Sequence, residues 1–561
     1  MTTEGPDAPL NQTGGEIELI ERTPSAYGYP LLIKHLLHTP LAHAPEQEIV
    51  YRDLVRYDYR ELRRRIGQLA SALEGLGVRP GDTVAVMDWD SHRYLECYFA
   101  VPMMGAVLQT VNIRLSPEQI LYTINHAEAD ILLVHTDFLP ILEAIEDKIE
   151  IAKKVVLLAD GDERPETSLE ISGTYEDLVG SGSADYDFPD FDENTRATTF
   201  YTTGTTGNPK GVYFSHRQLV LHTLAGLAAL GTASVGERFH RADVYMPITP
   251  MFHVHAWGVP YMATVMGVKQ VYPGRYAPDV LLGLIQKEGV TFSHCVPTIL
   301  HMLLNSPGSQ NVDLSGWTVV IGGSALPRGL AQAALERGID VFGGYGMSET
   351  CPILTLAQLT PEMLELDVDE QLEIRTKAGR PIPLVDLRAV DEEMRDVPHD
   401  GENAGEVVVR APWLTQGYLK NPDASEELWE GGYLHTQDIG NIDQQGYLRV
   451  TDRIKDVIKS GGEWVSSLDI ENILSQHEGV SEAAVIGVAD EKWGERPLCL
   501  VVPKEGQEIT QEEIRAHVKE RADSGAISKF AVPERVRIVE EIDKTSVGKI
   551  NKKILREKYG R

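Results

Sequence analysis

The sequence predicts an α/β protein: a large N-terminal part with largely parallel sheets, then a smaller α/β unit. Three observations carry this. Short apolar runs alternate with stretches of helical spacing, the mark of βαβ units. A segment rich in charge and glycine, Thr451-Asp-Arg-Ile-Lys-Asp-Val-Ile-Lys-Ser-Gly-Gly-Glu-Trp464, interrupts the pattern as a domain linker does. And 561 residues are too many for one ordinary domain.

The elements follow in order. Residues 1–15 are polar, with Gly and Pro, and are expected to be disordered. Apolar residues at helical spacing predict a helix over Tyr59–Leu73. Thr83–Met87 reads as a buried strand after a Gly-Val-Arg-Pro-Gly turn, and Glu96–Met104 as a helix. Ile131–Val134 and Val155–Leu158 are further buried strands. Val212 to Leu230 reads as a helix carrying His216 and His222, neither assigned a role. Trp317–Ile321 is a strand leading into Gly322-Gly-Ser-Ala325. Near the C-terminus, Ala483–Val488 and Leu498–Val502 are strands. Thr510–Asp523 is a helix whose Thr510 and Glu513 have capping-box spacing.

Composition limits the partners. Acidic residues number 84 against 52 basic ones, a formal charge of -32. Sequence-independent nucleic-acid binding needs a basic footprint, and so does adhesion to anionic lipid. A sharper reading is adaptation to high salt, where dense surface carboxylates keep a protein hydrated. Activity is then expected to persist as salt rises, and a profile that collapses above low salt would count against it. The four cysteines, Cys97, Cys295, Cys351 and Cys499, form no CxxC pair, so a reducing cytoplasm is the default. The N-terminus lacks the basic and apolar regions of a signal peptide, and no run of eighteen apolar residues suggests a membrane span.

The chain is organised around Tyr201-Thr-Thr-Gly-Thr-Thr-Gly-Asn-Pro-Lys-Gly-Val212. Gly204, Gly207 and Gly211 let backbone N–H groups approach a ligand, and Thr202, Thr203, Thr205 and Thr206 add hydroxyls. Lys210 supplies a cation. Together they read as a phosphate cradle. The spacing departs from G-x-x-x-x-G-K-[ST], which disfavours a P-loop phosphotransferase. Three other stretches raise chemical questions. His253 and His255 are two apart, a spacing open to metal ligation, but no nearby Cys or carboxylate completes a site. Ser324 lacks the G-x-S-x-G elbow and a partner His or Asp, so it is not a nucleophile. Asp340-Val-Phe-Gly-Gly-Tyr-Gly-Met-Ser-Glu-Thr350 ends a strand in glycines beside an aromatic, a hydroxyl and a carboxylate.

The loop TTGTTGNPKG resembles the phosphate-binding signature of the adenylate-forming superfamily, which includes acyl-CoA synthetases, luciferases and peptide-synthetase adenylation domains. The likeness continues through MFHVHAWG, GGYGMSET, YLHTQDIG, TDRIKDVIKSGGEW and TSVGK, and covers nearly the whole chain from about Leu19. It implies a large, multi-layered N-terminal AMP-binding domain over 16–451 and a small mobile domain over 452–561, hinged at Asp452. It implies that ATP, Mg²⁺ and CoA are used to activate a carboxylic acid, most similar to the medium- and long-chain fatty acids. Methylmercaptopropionate, an aryl acid or a carrier-protein thiol are the alternatives. Thr202, Thr203, Gly204, Thr205, Thr206, Gly207, Lys210, Gly323, Ser324, Gly344, Tyr345, Gly346, Met347, Ser348, Asp438 and Arg453 would hold the nucleotide. Thr202 and Glu349 would hold the metal, a hard cation that prefers oxygen. His253, Trp257 and Ala325 would line the acyl pocket, with His253 near the reacting carboxylate and Trp257 as its gate. Lys549 would be the catalytic lysine. Lys459, Ser460, Gly461, Gly462, Glu463 and Trp464 would meet CoA. The family form has Gly before the ribose-binding Asp, where this chain has Gln437, and commonly Thr where Val547 stands. Relatives of this kind can be homodimers.

Overall fold

Runs of Val, Ile and Leu that are apolar on both faces can only be satisfied inside a sheet covered by helices. Two such sheets form the N-terminal part. The computed structural model describes residues 18–152, 154–161, 165–202, 208–234, 237–460, 463–490, 492–524, 527–545 and 548–560. The disorder expected for residues 1–15 falls outside them.

The first sheet has seven strands. Edge to edge they are Ile171–Thr174, Lys154–Leu158, Ala129–His135, Thr83–Met87, Val107–Thr110, Arg196–Thr202 and Lys210–Ser215. All neighbours are parallel except the last pair, which is antiparallel. The second sheet has nine strands, and Val244–Pro247, Phe292–Cys295, Thr318–Ile321 and Asp340–Gly346 form its parallel centre. The helix His92–Met103 is buried at every residue, as a helix in the middle of a layered stack must be. Helix Tyr59–Gly75 begins where Asp58 accepts a hydrogen bond from the Glu61 amide. An antiparallel four-stranded sheet closes this part with Leu434–Ile442 and Leu448–Arg453.

The C-terminal unit is a five-stranded sheet with helices Ser467–Ser475, Gln511–Asp523 and Lys552–Tyr559. Thr510 and Glu513 form the expected capping box. Its core around Ile470, Leu474, Val485 and Val501 is separate from the N-terminal cores. The fold is thus mixed α/β, large part plus small. No described helix is long and apolar enough to cross a membrane.

One element differs from the expected helix over Val212–Leu230. Val212, Tyr213 and Phe214 belong to a strand paired back on Arg196–Thr202, and the helix starts only at His216. β-branched and aromatic residues favour the pleated surface, and Ser215 caps the helix that follows.

Candidate active site

In parallel sheets, ligands bind beyond the carboxyl ends of the strands. Here the strands ending at Pro247, Ile321 and Gly346 of one sheet deliver their following residues to one cleft, and the strand ending at Thr202 of the other sheet brings Thr202 to it. The cleft has a volume of about 970 Å³ and lies between the two parts of the chain. Thr202, Lys210, His253, Gly323, Ser324, Ala325, Gly344, Tyr345, Gly346, Met347, Ser348, Glu349, Asp438, Asp452, Arg453 and Lys549 all line it. Residues drawn from almost the whole sequence therefore meet in one place. Thr203, Gly204, Thr205, Thr206 and Gly207 lie outside the described residues, as do Gly461 and Gly462.

Lys549 comes from the C-terminal unit. A tight turn carries it: the Gly548 amide donates to the Thr545 carbonyl, and the Thr545 amide to the Lys549 carbonyl. The Thr298 hydroxyl donates to the Gly548 carbonyl and ties the turn to the N-terminal part. Gly323 has φ +78, and a Cβ there would come within 3.2 Å of Lys549 Cε. The lysine stem thus lies across a backbone that has no side chain to spare room for. Burial pushes the Lys549 ammonium down to about 8, with the Arg453 charge acting in the same direction.

Asp438 is the acidic anchor opposite. The Tyr345 hydroxyl donates to it at 2.8 Å, and Arg453 Nε lies 3.2 Å from its other oxygen. Burial raises its pKa against the pull of Arg453 and Tyr345. Gln437, the residue before Asp438, adopts φ +59. This is the left-handed geometry that glycine adopts freely and that an L residue reaches only at a steric cost. Local strain of this kind is found where a neighbour must be aimed.

Glu349 is buried and accepts a hydrogen bond from the Tyr418 hydroxyl at 2.7 Å. Lys210 Nζ sits 4.4 Å from the centre of the Tyr418 ring. Tyr418 thus links the base of the threonine loop to the carboxylate, a role that no spacing in the sequence signals. Burial raises the Glu349 pKa, so a cation beside it would offset the cost of its charge. The residues fit a magnesium ion in this respect.

His253 and Trp257 border a second, small cavity of about 30 Å³ with Val320, Gly322, Ile353 and Leu356. Ala325 lines the large cleft instead. The Trp257 ring lies 5.0 Å from the His294 ring. Its backbone is unusual: Val254, His255, Ala256 and Trp257 have φ of 47, 53, 47 and 60, a left-handed turn of four L residues, costing roughly 1–2 kcal/mol each. That turn separates the two histidines. His253 faces the cleft, where burial, then Lys549, pushes it down to about 3, so its imidazole is neutral. His255 is enclosed by Tyr98, Phe200, Phe214 and Tyr261.

Asp452 is the penultimate residue of the strand Leu448–Arg453 and accepts hydrogen bonds from the amide and hydroxyl of Ser467, the first residue of helix Ser467–Ser475. Lys459 and Ser460 sit on a short strand paired with Glu463–Val465. They are not among the residues lining the cleft.

The sequence matches the AMP-binding enzyme family over residues 37–419 and its C-terminal domain over 469–549. It is 42% identical to a long-chain-fatty-acid–CoA ligase of Thermus thermophilus, over 97% of this chain and 95% of that one. It is 37% identical to a 3-methylmercaptopropionyl-CoA ligase of Ruegeria lacuscaerulensis, over 94% and 97%. The structure superposes with a TM-score of 0.83 on an anthranilate CoA ligase in complex with anthranoyl-AMP, at 25% identity over 94% of this chain and 98% of that one.

Proposed function

The chain belongs to the AMP-binding enzyme family, and on that premise we propose that it is an ATP-dependent acid–CoA ligase acting on medium- or long-chain fatty acids. The observation that carries this proposal is Lys549, brought by the C-terminal unit into the cleft between the two parts beside Gly323, Tyr345, Asp438 and Arg453.

A carboxylate is a poor acyl donor because oxide is its leaving group. In the first step its oxygen attacks the α-phosphorus of ATP and pyrophosphate leaves. Both reactants are anions, so positive charge must gather where they meet. Lys549 and Lys210 provide cations, and Asp438 accepts the ribose hydroxyls while Tyr345 offers a face to the base. Magnesium held by Glu349 and Thr202 would supply further charge neutralisation on the phosphates. Neutral His253 serves as a hydrogen-bond donor orienting the acid rather than as a cation. In the second step the CoA sulfur attacks the acyl carbon, its proton is released, and AMP departs. No protein nucleophile is needed. Lys549 occupies the space this second step requires, and the Lys459–Trp464 hairpin is then brought to the cleft by rotation at Asp452.

The small cavity has room for little more than one water-sized group. A longer acyl chain therefore needs Trp257 to turn aside, and the strained turn beneath it favours such a rearrangement. Trp257→Ala is expected to shift preference toward longer acids by about tenfold, or roughly 1.4 kcal/mol, with the KM for ATP unchanged. Unaltered chain-length selectivity would remove Trp257 from the gate. A panel of straight-chain, thioether and aryl acids, scored by AMP release with and without CoA, tests the substrate class. The proposal expects CoA-dependent turnover to be greatest with the aliphatic chains. Turnover greatest with aryl acids, or a product formed without CoA, would overturn it.

A further inference from the structure

The N-terminus of helix Arg328–Glu336 is not capped by its own residues. Its N-cap position is Pro327, which has no side-chain acceptor. The missing acceptor comes from the other part of the chain: the Arg328 amide donates to Asn472 Oδ1 at 3.0 Å. Asn472 lies in helix Ser467–Ser475, whose C-terminal end therefore abuts the N-terminal end of Arg328–Glu336. The two helix dipoles meet with opposite signs. Gly329 is what lets them approach. A Cβ at Gly329 would stand 2.4 Å from the Ser475 carbonyl oxygen and 3.2 Å from its carbon. Both are backbone atoms, which no rotamer change can move aside. A second contact, between Arg449 of the N-terminal part and Asp469 of the same helix at 2.9 Å, fixes the rotation.

We propose that Gly329 and Asn472 form a seat that holds the C-terminal unit in the pose that delivers Lys549, so that Gly329 is a positioning residue for adenylation and not for thioester formation. This rests on the two-step reading above. The seat is far from the reacting atoms and touches neither nucleotide nor acid. What it controls is how often the lysine is presented. Any side chain at position 329 moves helix Ser467–Ser475 outward, and Lys549 moves with the rigid domain that carries both.

A glycine inside a helix normally weakens it, and Ala there raises helix propensity. A merely structural role would therefore make Gly329→Ala neutral or stabilising with activity retained. The seat predicts the opposite combination: Tm unchanged or higher, yet adenylation lowered by about tenfold for Gly329→Ala and about a hundredfold for Gly329→Val, the order expected for overpacking a close contact. Thioester formation from supplied acyl-adenylate stays within about twofold. Asn472→Ala, which removes the cap without adding bulk, lowers adenylation by a few fold, in line with a lost helix cap.

The decisive experiment pairs these rates with a distance. Spin labels are placed at Glu336→Cys and Glu520→Cys, both exposed, in a chain whose four native cysteines are buried. With ATP and Mg²⁺ added, one dominant distance is expected in the parent, and its population falls in Gly329→Val. An unchanged distribution, or equal loss of both half-reactions, overturns the seat. If the parent itself releases no pyrophosphate, the functional reading fails instead, while the label distance still reports on the seat.

Discussion

Lys549→Ala is expected to lower acid-dependent adenylation by about a thousandfold, a loss of roughly 4 kcal/mol of transition-state stabilisation. Thioester formation from supplied acyl-adenylate is expected to continue at close to the parent rate. The asymmetry follows from the proposed mechanism: an ammonium placed where the carboxylate and α-phosphate meet serves only the first step, and leaves before sulfur attacks. Stopped-flow measurement of the two half-reactions checks it, and equal damage to both would remove Lys549 from its role. A pH profile gives an independent reading. Burial holds Lys549 at about 8, and only the protonated form can neutralise the reacting anions. Adenylation kcat/KM should therefore fall as pH rises through about 8, because the charge is present below that value and lost above it. Lys549→Arg, which stays charged, should abolish that limb, whereas a limb that survives would assign it to another group.

Asp438→Ala is expected to raise the KM for ATP by about a hundredfold and, unlike the lysine variant, to impair both half-reactions. In the proposed mechanism the ribose stays in place from ATP to acyl-adenylate, so an acceptor at Asp438 would be needed throughout. The variant also strands two partners, leaving the Tyr345 hydroxyl and the Arg453 guanidinium without their carboxylate. Hydrogen bonds to charged groups are worth about 1.5–3 kcal/mol each, which sets the scale. Isothermal titration with AMP checks the binding loss, and a variant that binds AMP as tightly as the parent would show that Asp438 does not hold the ribose.

What could be read from the sequence was what local chemistry demands. The buried strands announced themselves as runs of Val, Ile and Leu, and the capping box at Thr510 by its spacing. Tyr345 stands in a stretch whose paired glycines and aromatic make little sense as surface loop, whereas Asp438 and Lys549 are marked only by the family resemblance, since the composition around Lys549 is that of an ordinary solvated basic tail. The remainder depended on partners distant in sequence. Tyr418 carries no motif, and it matters only because Lys210 and Glu349 come to its ring and its hydroxyl. The strand at Val212–Phe214 is decided by pairing with Arg196–Thr202, against a helical pattern that runs on beyond it. Nothing in Val-His-Ala-Trp suggests four left-handed residues, since β-branched and aromatic side chains disfavour that region. The seat at Gly329 joins residues 144 positions apart across a domain boundary, and a glycine near a helix start gives no hint of it.

The central claim is that one cleft first joins an acid to AMP, with Lys549 presented by the C-terminal unit, before any thiol is involved. Isotope exchange between labelled pyrophosphate and ATP, with Mg²⁺ and a fatty acid but without CoA, measures this directly. The account predicts exchange that needs the acid, proceeds without CoA and disappears in Lys549→Ala. Exchange that requires CoA, or ATP consumed to ADP and phosphate instead, would contradict it.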